Sequence, residues 1–281
     1  MVHPKQQLDG TTIKPKKAFG QNFLADESHL GAIARLVLQC AKDPARTVVE
    51  FGAGLGALTG ALLAAGANVV AVERDRDLFP LLQKRFAGQT RLSLVEGNAL
   101  TFSLDGQPAG FALCGNLPYH HAADLCMRCV DVVEEQGYGA LGGGIFLIQL
   151  EVAERIAASP GTKDYGVLSV LLQSRFEVTL GHVVPKGAFW PVPEVDGGVI
   201  VLRPRPPVLV TPFASLQKVV KAAFGQRRKT VRNSLSVLAD FDVDAALDSA
   251  GIDKGARAET IPVEGFLRLA AFLDEHDARG P

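Results

Sequence analysis

Asn116-Leu117-Pro118-Tyr119 places two hydrogen-bond acceptors and an aromatic ring just beyond the apolar run 110–114. The Asn116 side-chain oxygen and the Leu117 main-chain carbonyl can accept the two hydrogens of a planar amino group. Pro118 fixes its own φ and stiffens the turn. Tyr119 offers a face for a planar base, a stacking contact of about 1–3 kcal/mol. This set of groups suits the transfer of a methyl group onto an amine. Asn and Pro also make ordinary turns after strands, so the four residues alone leave both readings open.

The elements around the motif decide where it sits. Short apolar runs at 47–51, 68–73, 91–95, 111–115 and 144–149 predict strands, with helical spacing between most of them, as at 57–65 and 77–86. A further helix is expected over 26–40, capped by Asp26 or Ser28. This alternation predicts an α/β fold with a parallel sheet covered on both faces. The motif then lies at a strand's carboxyl end, where open α/β sheets bind their ligands. The stretch 159–166 reads as a loop, and strands at 174–184 and 195–203 suggest an antiparallel hairpin that finishes the sheet. Beyond the proline-rich 203–207 the pattern is helical, at 213–224, 227–238, 243–249 and 263–274. The expected division is a flexible basic tail over 1–17, a ligand-binding α/β domain over 18–206 and a helical domain over 207–281.

Three strand ends carry suitable groups for one ligand. The run 47–51 leads into Gly52-Ala53-Gly54-Leu55-Gly56 and then a helix. Glycines there let backbone approach a ligand, and a helix N-terminus offers free N–H groups to an anion. The dinucleotide fingerprint needs a third glycine where Thr59 stands, which favours a smaller anionic group such as a methionine carboxylate. Glu73, about 20 residues beyond the loop, can take both hydroxyls of a ribose. Asn98, after the third strand, can hydrogen-bond an adenine edge. Together these ends point to S-adenosylmethionine as methyl donor; taken one at a time, each also reads as a structural turn.

Composition narrows the partners. The 281 residues are 47% hydrophobic, enough for a large domain plus a small one. Net charge is −1, yet 211–239 holds six basic residues (Lys218, Lys221, Arg227, Arg228, Lys229, Arg232) and no acid. Balanced overall charge with a local basic patch suits one-sided binding of a phosphate backbone. A solvated helix start is the plainer reading of the same residues. Cys126-Met127-Arg128-Cys129 has metal-type spacing without a second ligand pair, so packing cysteines and no metal are expected. No apolar run is long enough to span a bilayer and the basic N-terminus lacks a following apolar core, so a cytoplasmic protein without membrane contact is expected.

In these residues the chain resembles the ribosomal RNA adenine N6,N6-dimethyltransferases, on their bacterial small-subunit branch. The resemblance is carried by Phe19-Gly20-Gln21-Asn22-Phe23-Leu24, the Glu50-x-Gly-x-Gly loop and Asn116-Leu117-Pro118-Tyr119. It continues through 149–156, Asp164-Tyr165-Gly166, Phe189-Trp190-Pro191, the segment 224–235 and Arg257-Ala258-Glu259, in order over about 16–272. It implies a Rossmann-like class I SAM-dependent methyltransferase sheet with a small all-α C-terminal domain. Asn22 and Leu24 are then cofactor contacts beside Gly52, Glu73, Asn98 and Asn116. Phe189 becomes a second stacking face opposite Tyr119, and Arg227, Arg228, Lys229 and Arg232 contact RNA. The implied partner is small-subunit (16S) ribosomal RNA or an immature 30S particle, met by a monomer, with a role in subunit maturation. The target would be two adjacent adenines in the RNA's 3'-terminal hairpin.

Three positions depart from the family's habit: Asn98 where Asp is usual, Ala53 where Pro is usual, and His120-His121 after the tyrosine. The two histidines are expected to face solvent rather than line the target pocket. DNA adenine and protein glutamine N5 methyltransferases usually carry Pro in place of Leu117 and leave the 227–235 segment without a role. A large-subunit RNA methyltransferase and a non-catalytic assembly factor are the remaining rivals. Intact Glu73 and Asn116–Tyr119 weigh against the second.

Overall fold

The structure, a computed structural model, describes residues 2–16, 19–206, 209–226, 228–238 and 241–279, apart from the side chains of Tyr119 and 276–279. Arg227, Lys17 and the Tyr119 side chain thus lie outside the described residues. In chain order the elements of the first part are α1 (Pro4–Leu8), β1 (Phe23–Leu24), α2 (Glu27–Cys40), β2 (Thr47–Phe51), α3 (Ala57–Ala64), β3 (Asn68–Glu73), α4 (Phe79–Arg85), β4 (Leu92–Glu96), β5 (Phe111–Asn116) and α5 (Ala122–Gln136). Then follow β6 (Leu141–Gln149), α6 (Leu150–Ala157), α7 (Val167–Gln173), β7 (Phe176–Val184), β8 (Phe189–Trp190), β9 (Gly197–Pro204), α8 (Phe213–Phe224), α9 (Val231–Leu235), α10 (Val243–Ala250) and α11 (Val263–Arg279).

Seven strands form one sheet in the order β4-β3-β2-β5-β6-β9-β7. Strands β4, β3, β2, β5 and β6 pair in parallel, and β9 runs antiparallel to β6. All five residues of β2 are buried, as a central strand covered on both faces requires. The chain builds outward from β2 through β3 to β4, then returns to lay β5 on its other side. The carboxyl ends of β2 and β5 therefore flank a topological switch point, where this kind of sheet binds ligands. Helix α2 starts as expected: the Asp26 carboxylate accepts the N–H groups of Ser28 (2.8 Å) and His29 (3.1 Å).

Two compact units divide the chain. One comprises Met1–Ala153 with Thr179–Pro204, the other Glu154–Val178 with Arg205–Pro281. In the first, Pro4–Leu8 is helical and Leu8 is buried in a cluster with Phe23, Leu55 and Leu78. In the second, α8 packs on α11 with the Phe224 and Phe266 rings stacked at 5.7 Å, and the Tyr165 hydroxyl donates to the Ile261 carbonyl at 3.0 Å. The Arg175 guanidinium, fully buried, donates to the Thr211 carbonyl at 2.9 Å and lies over the Phe213 ring. It thereby anchors the start of α8.

The helix expected over 227–238 is shorter. Thr230 adopts extended backbone and its hydroxyl accepts the Asn233 N–H, so α9 begins at Val231 and ends at Leu235. Its basic residues mostly precede the helix.

Candidate active site

The site begins at β2. Gly52 and Gly54 follow it with φ of +72° and +59°, a region that L side chains rarely adopt. A Cβ at Gly54 would also stand 3.1 Å from the Phe23 ring, so glycine there lets the 20–24 segment close over the loop. At the end of β3, Glu73 is buried and its two oxygens accept the N–H groups of Gly54 and Asp75, each at 2.7 Å. Burial pushes its pKa up, against the backbone donors that oppose the shift. A carboxylate has about four acceptor positions, so the same oxygens can still receive ribose hydroxyls.

Asn116 closes β5, and its side-chain nitrogen donates to the Asn22 main-chain carbonyl at 2.8 Å. A carbonyl oxygen only accepts, so this bond fixes which end of the amide is nitrogen and leaves Oδ1 as the acceptor end. Leu117 is held by its N–H to the Leu147 carbonyl at 2.9 Å. Strands β1 and β8 pair antiparallel, with Leu24 opposite Phe189 and Phe23 opposite Trp190. One cavity is lined by Asn22, Leu24, Gly52, Glu73, Asn116, Leu117, Pro118 and Phe189, together with Glu50 and Arg74. The sequence-derived residues at the ends of β2, β3 and β5 thus converge with those on β1 and β8.

Asn98 does not line that cavity. It borders a smaller neighbouring one with Gly97, Ala99, Leu100, His121 and Leu125, and Gly52, Arg74 and Pro118 border both. An elongated ligand with a methionine end and an adenine end fits two adjoining cavities that share a wall. His121, expected to face solvent, borders the smaller cavity; His120 is exposed.

Sequence reasoning missed three features. Glu50 is buried, hydrogen-bonded by the Thr59 hydroxyl at 2.5 Å, and burial carries its pKa up to about 8. Lys16 lies 2.5 Å from Asp75 and 2.6 Å from Asp77, while Gln21 donates to Asp75 at 2.7 Å, strapping the segment before Asn22 to the loop after β3. Arg232 forms a two-pronged pair with Asp244, at 2.8 and 2.7 Å, and holds that carboxyl down at about 2. Asp244 lies beyond the acid-free stretch, and folding returns it to the basic segment. Arg228 and Lys229 are exposed. The four cysteines are buried, and among the described residues no group of acidic, His and Cys side chains could hold a metal.

A largely parallel sheet with a glycine turn after its central strand, an acidic residue closing the next and an Asn-Leu-Pro turn on the fourth is the arrangement of a SAM-dependent methyltransferase. The chain matches the ribosomal RNA adenine dimethylase family over residues 12–275 and belongs to it. It is 43% identical to the ribosomal RNA small subunit methyltransferase A of Anaeromyxobacter dehalogenans, over 96% of this chain and 97% of that protein. Among solved structures it resembles the 23S rRNA methyltransferase ErmE (30% identity, TM-score 0.66, covering 90% of this chain and all of that one). A dimethyladenosine transferase from Plasmodium falciparum shares the fold (21% identity, TM-score 0.75, covering 91% and 98%). The activity is that of an rRNA adenine dimethyltransferase dependent on S-adenosylmethionine.

Proposed function

We propose that this chain dimethylates N6 of two adjacent adenines in the 3'-terminal hairpin of 16S ribosomal RNA, as a step in small-subunit maturation. The observation that supports this reading best is the Asn116–Asn22 hydrogen bond, which commits the amide nitrogen of a cavity-lining residue and leaves Oδ1 as its acceptor end. The small-subunit assignment rests on the 43% identical relative, against 30% for the large-subunit enzyme. An immature 30S particle is the partner, the chain acts as a monomer, and its place is the cytoplasm. Among the described residues no helix is long and apolar enough to cross a membrane.

Asn22, Leu24, Gly52, Glu73, Asn98 and Asn116 hold the donor, which supplies a sulfonium methyl. Adenine N6 is a weak nucleophile because its lone pair is delocalised into the ring. Asn116 Oδ1 and the Leu117 carbonyl accept its N–H groups and favour a more tetrahedral nitrogen, whose lone pair is then free to attack. The N–C bond forms as the S–C bond breaks, and the proton made acidic on nitrogen leaves to water. The contribution of the protein is orientation and hydrogen bonds that strengthen in the transition state. Tyr119 and Phe189 stack the splayed-out base. The product amine keeps one hydrogen, so a second transfer follows at the same acceptors. Residues 18–206 bind the donor and base, and 207–281 bind RNA through Arg227, Arg228, Lys229 and Arg232, with phosphate competing against Asp244 for Arg232.

Asn116→Ala tests the reading. Transfer should fall by two orders of magnitude or more, roughly the cost of losing a transition-state hydrogen bond, and by clearly more than any accompanying loss of S-adenosylhomocysteine affinity. Near-wild-type turnover would remove the proposed role.

A further inference from the structure

Arg128 lies in α5 within the Cys126–Cys129 segment, to which the functional reading gives no part. Its side chain is 15% exposed, and every arm of the guanidinium is engaged. One terminal nitrogen donates to the carbonyls of Ala99 (2.9 Å) and Leu100 (2.7 Å), and the other to Phe102 (2.9 Å). Nε lies 3.0 Å from the Asp131 carboxylate. All three carbonyls belong to the loop that follows β4 and contains Asn98. Carbonyls withdrawn from water need donors, and a rigid planar fork supplies several in fixed directions, which a lysine does not.

The other end of that loop is fastened by Asn98 itself, whose side-chain oxygen accepts the Leu100 N–H at 3.1 Å. Asn98, Ala99 and Leu100 form one wall of the smaller cavity, and Pro118, His121 and Leu125 form another. Pro118 belongs to the base-holding turn, and α5 continues from that turn. Leu125 and Arg128 are three residues apart on α5, so they share a face. One faces the cavity and the other grips the loop behind it.

We propose that Arg128 is a positioning residue for the adenine end of the methyl donor. It sets the separation between the 98–102 loop and the helix that issues from the 116–119 turn, and so acts through Asn98 rather than on the ligand. The inference rests on reading the smaller cavity as the adenine subsite.

The test is calorimetric binding of S-adenosylhomocysteine to the purified wild type, Arg128→Ala, Asn98→Ala and the double variant, at a temperature where melting curves show all four folded. Arg128→Ala should weaken binding by on the order of tenfold, while turnover at saturating donor falls far less than affinity. The double variant should bind no more than about twofold worse than the weaker single one, because both changes disable one loop. Arg128→Lys, which keeps the charge beside Asp131 but not the fork, should fall between wild type and Arg128→Ala, and it carries the comparison if the alanine variant does not fold. An unchanged affinity in Arg128→Ala or Arg128→Lys, or losses that multiply in the double variant, would overturn the assignment while leaving the donor reading intact. A wild-type chain that bound no S-adenosylhomocysteine would instead overturn the donor reading, and Arg128's role with it.

Discussion

The proposed part of Asn116 needs one orientation of its amide, and that orientation is set by a main-chain atom ninety-four residues away. The place of Asn116 at a strand end beside the cavity was legible in the sequence because residue type and position after an apolar run are local signals. The Asn22 carbonyl was not, since no side-chain type announces a backbone contact. Glu50 is a similar case: its place before the glycine loop was plain, but its protonation depends on burial. Its folded pKa of about 8 stands above the ordinary 4.5, so between those values the folded state binds more protons than the unfolded one. Stability from this group is full below about pH 4.5 and is lost as pH rises through about 8. Glu50→Gln should therefore flatten the fall in melting temperature over that window and raise it at pH 8. Parallel curves for the two proteins would show that Glu50 is ionised in the fold.

At the scale of elements, long periodic segments were readable and very short ones were not. Strands β2 and β3 and helix α8 match their expected bounds because each carries a complete apolar pattern over five or more residues. Strands β1 and β8 have two residues each, too few for any periodicity, yet their pairing brings Leu24 beside Phe189. The segment leading to β1 is held by Lys16 and Gln21 on Asp75, whose carboxyl group is nearly fully buried. Gln21→Ala leaves one oxygen of that buried group without its donor, a loss of about 1–3 kcal/mol at such a site. We expect S-adenosylhomocysteine to bind several-fold more weakly, because residues 20–24 line the cavity. Binding within about twofold of wild type would show that the Lys16 contact alone suffices.

For the whole molecule, charge distribution says more than net charge. The basic stretch 211–239 was visible in the sequence, but folding takes Arg232 into a pair with Asp244 and leaves Arg228 and Lys229 exposed. Replacing both with alanine should weaken RNA binding at low salt and reduce the slope of log affinity against log salt by about 0.7 per lost phosphate contact. Turnover at saturating RNA should be little changed, and an unaltered slope would place the phosphate contacts elsewhere. The central claim concerns substrate and product together, and transfer of labelled methyl from S-adenosylmethionine tests it most directly. Purified chain is offered immature 30S particles, stripped 16S RNA and 23S RNA, and the digested RNA is read by mass spectrometry. N6,N6-dimethyladenosine should appear at two adjacent positions of the small-subunit RNA and not in 23S RNA. Label confined to 23S RNA, or bound donor with no transfer to any of the three, would contradict it.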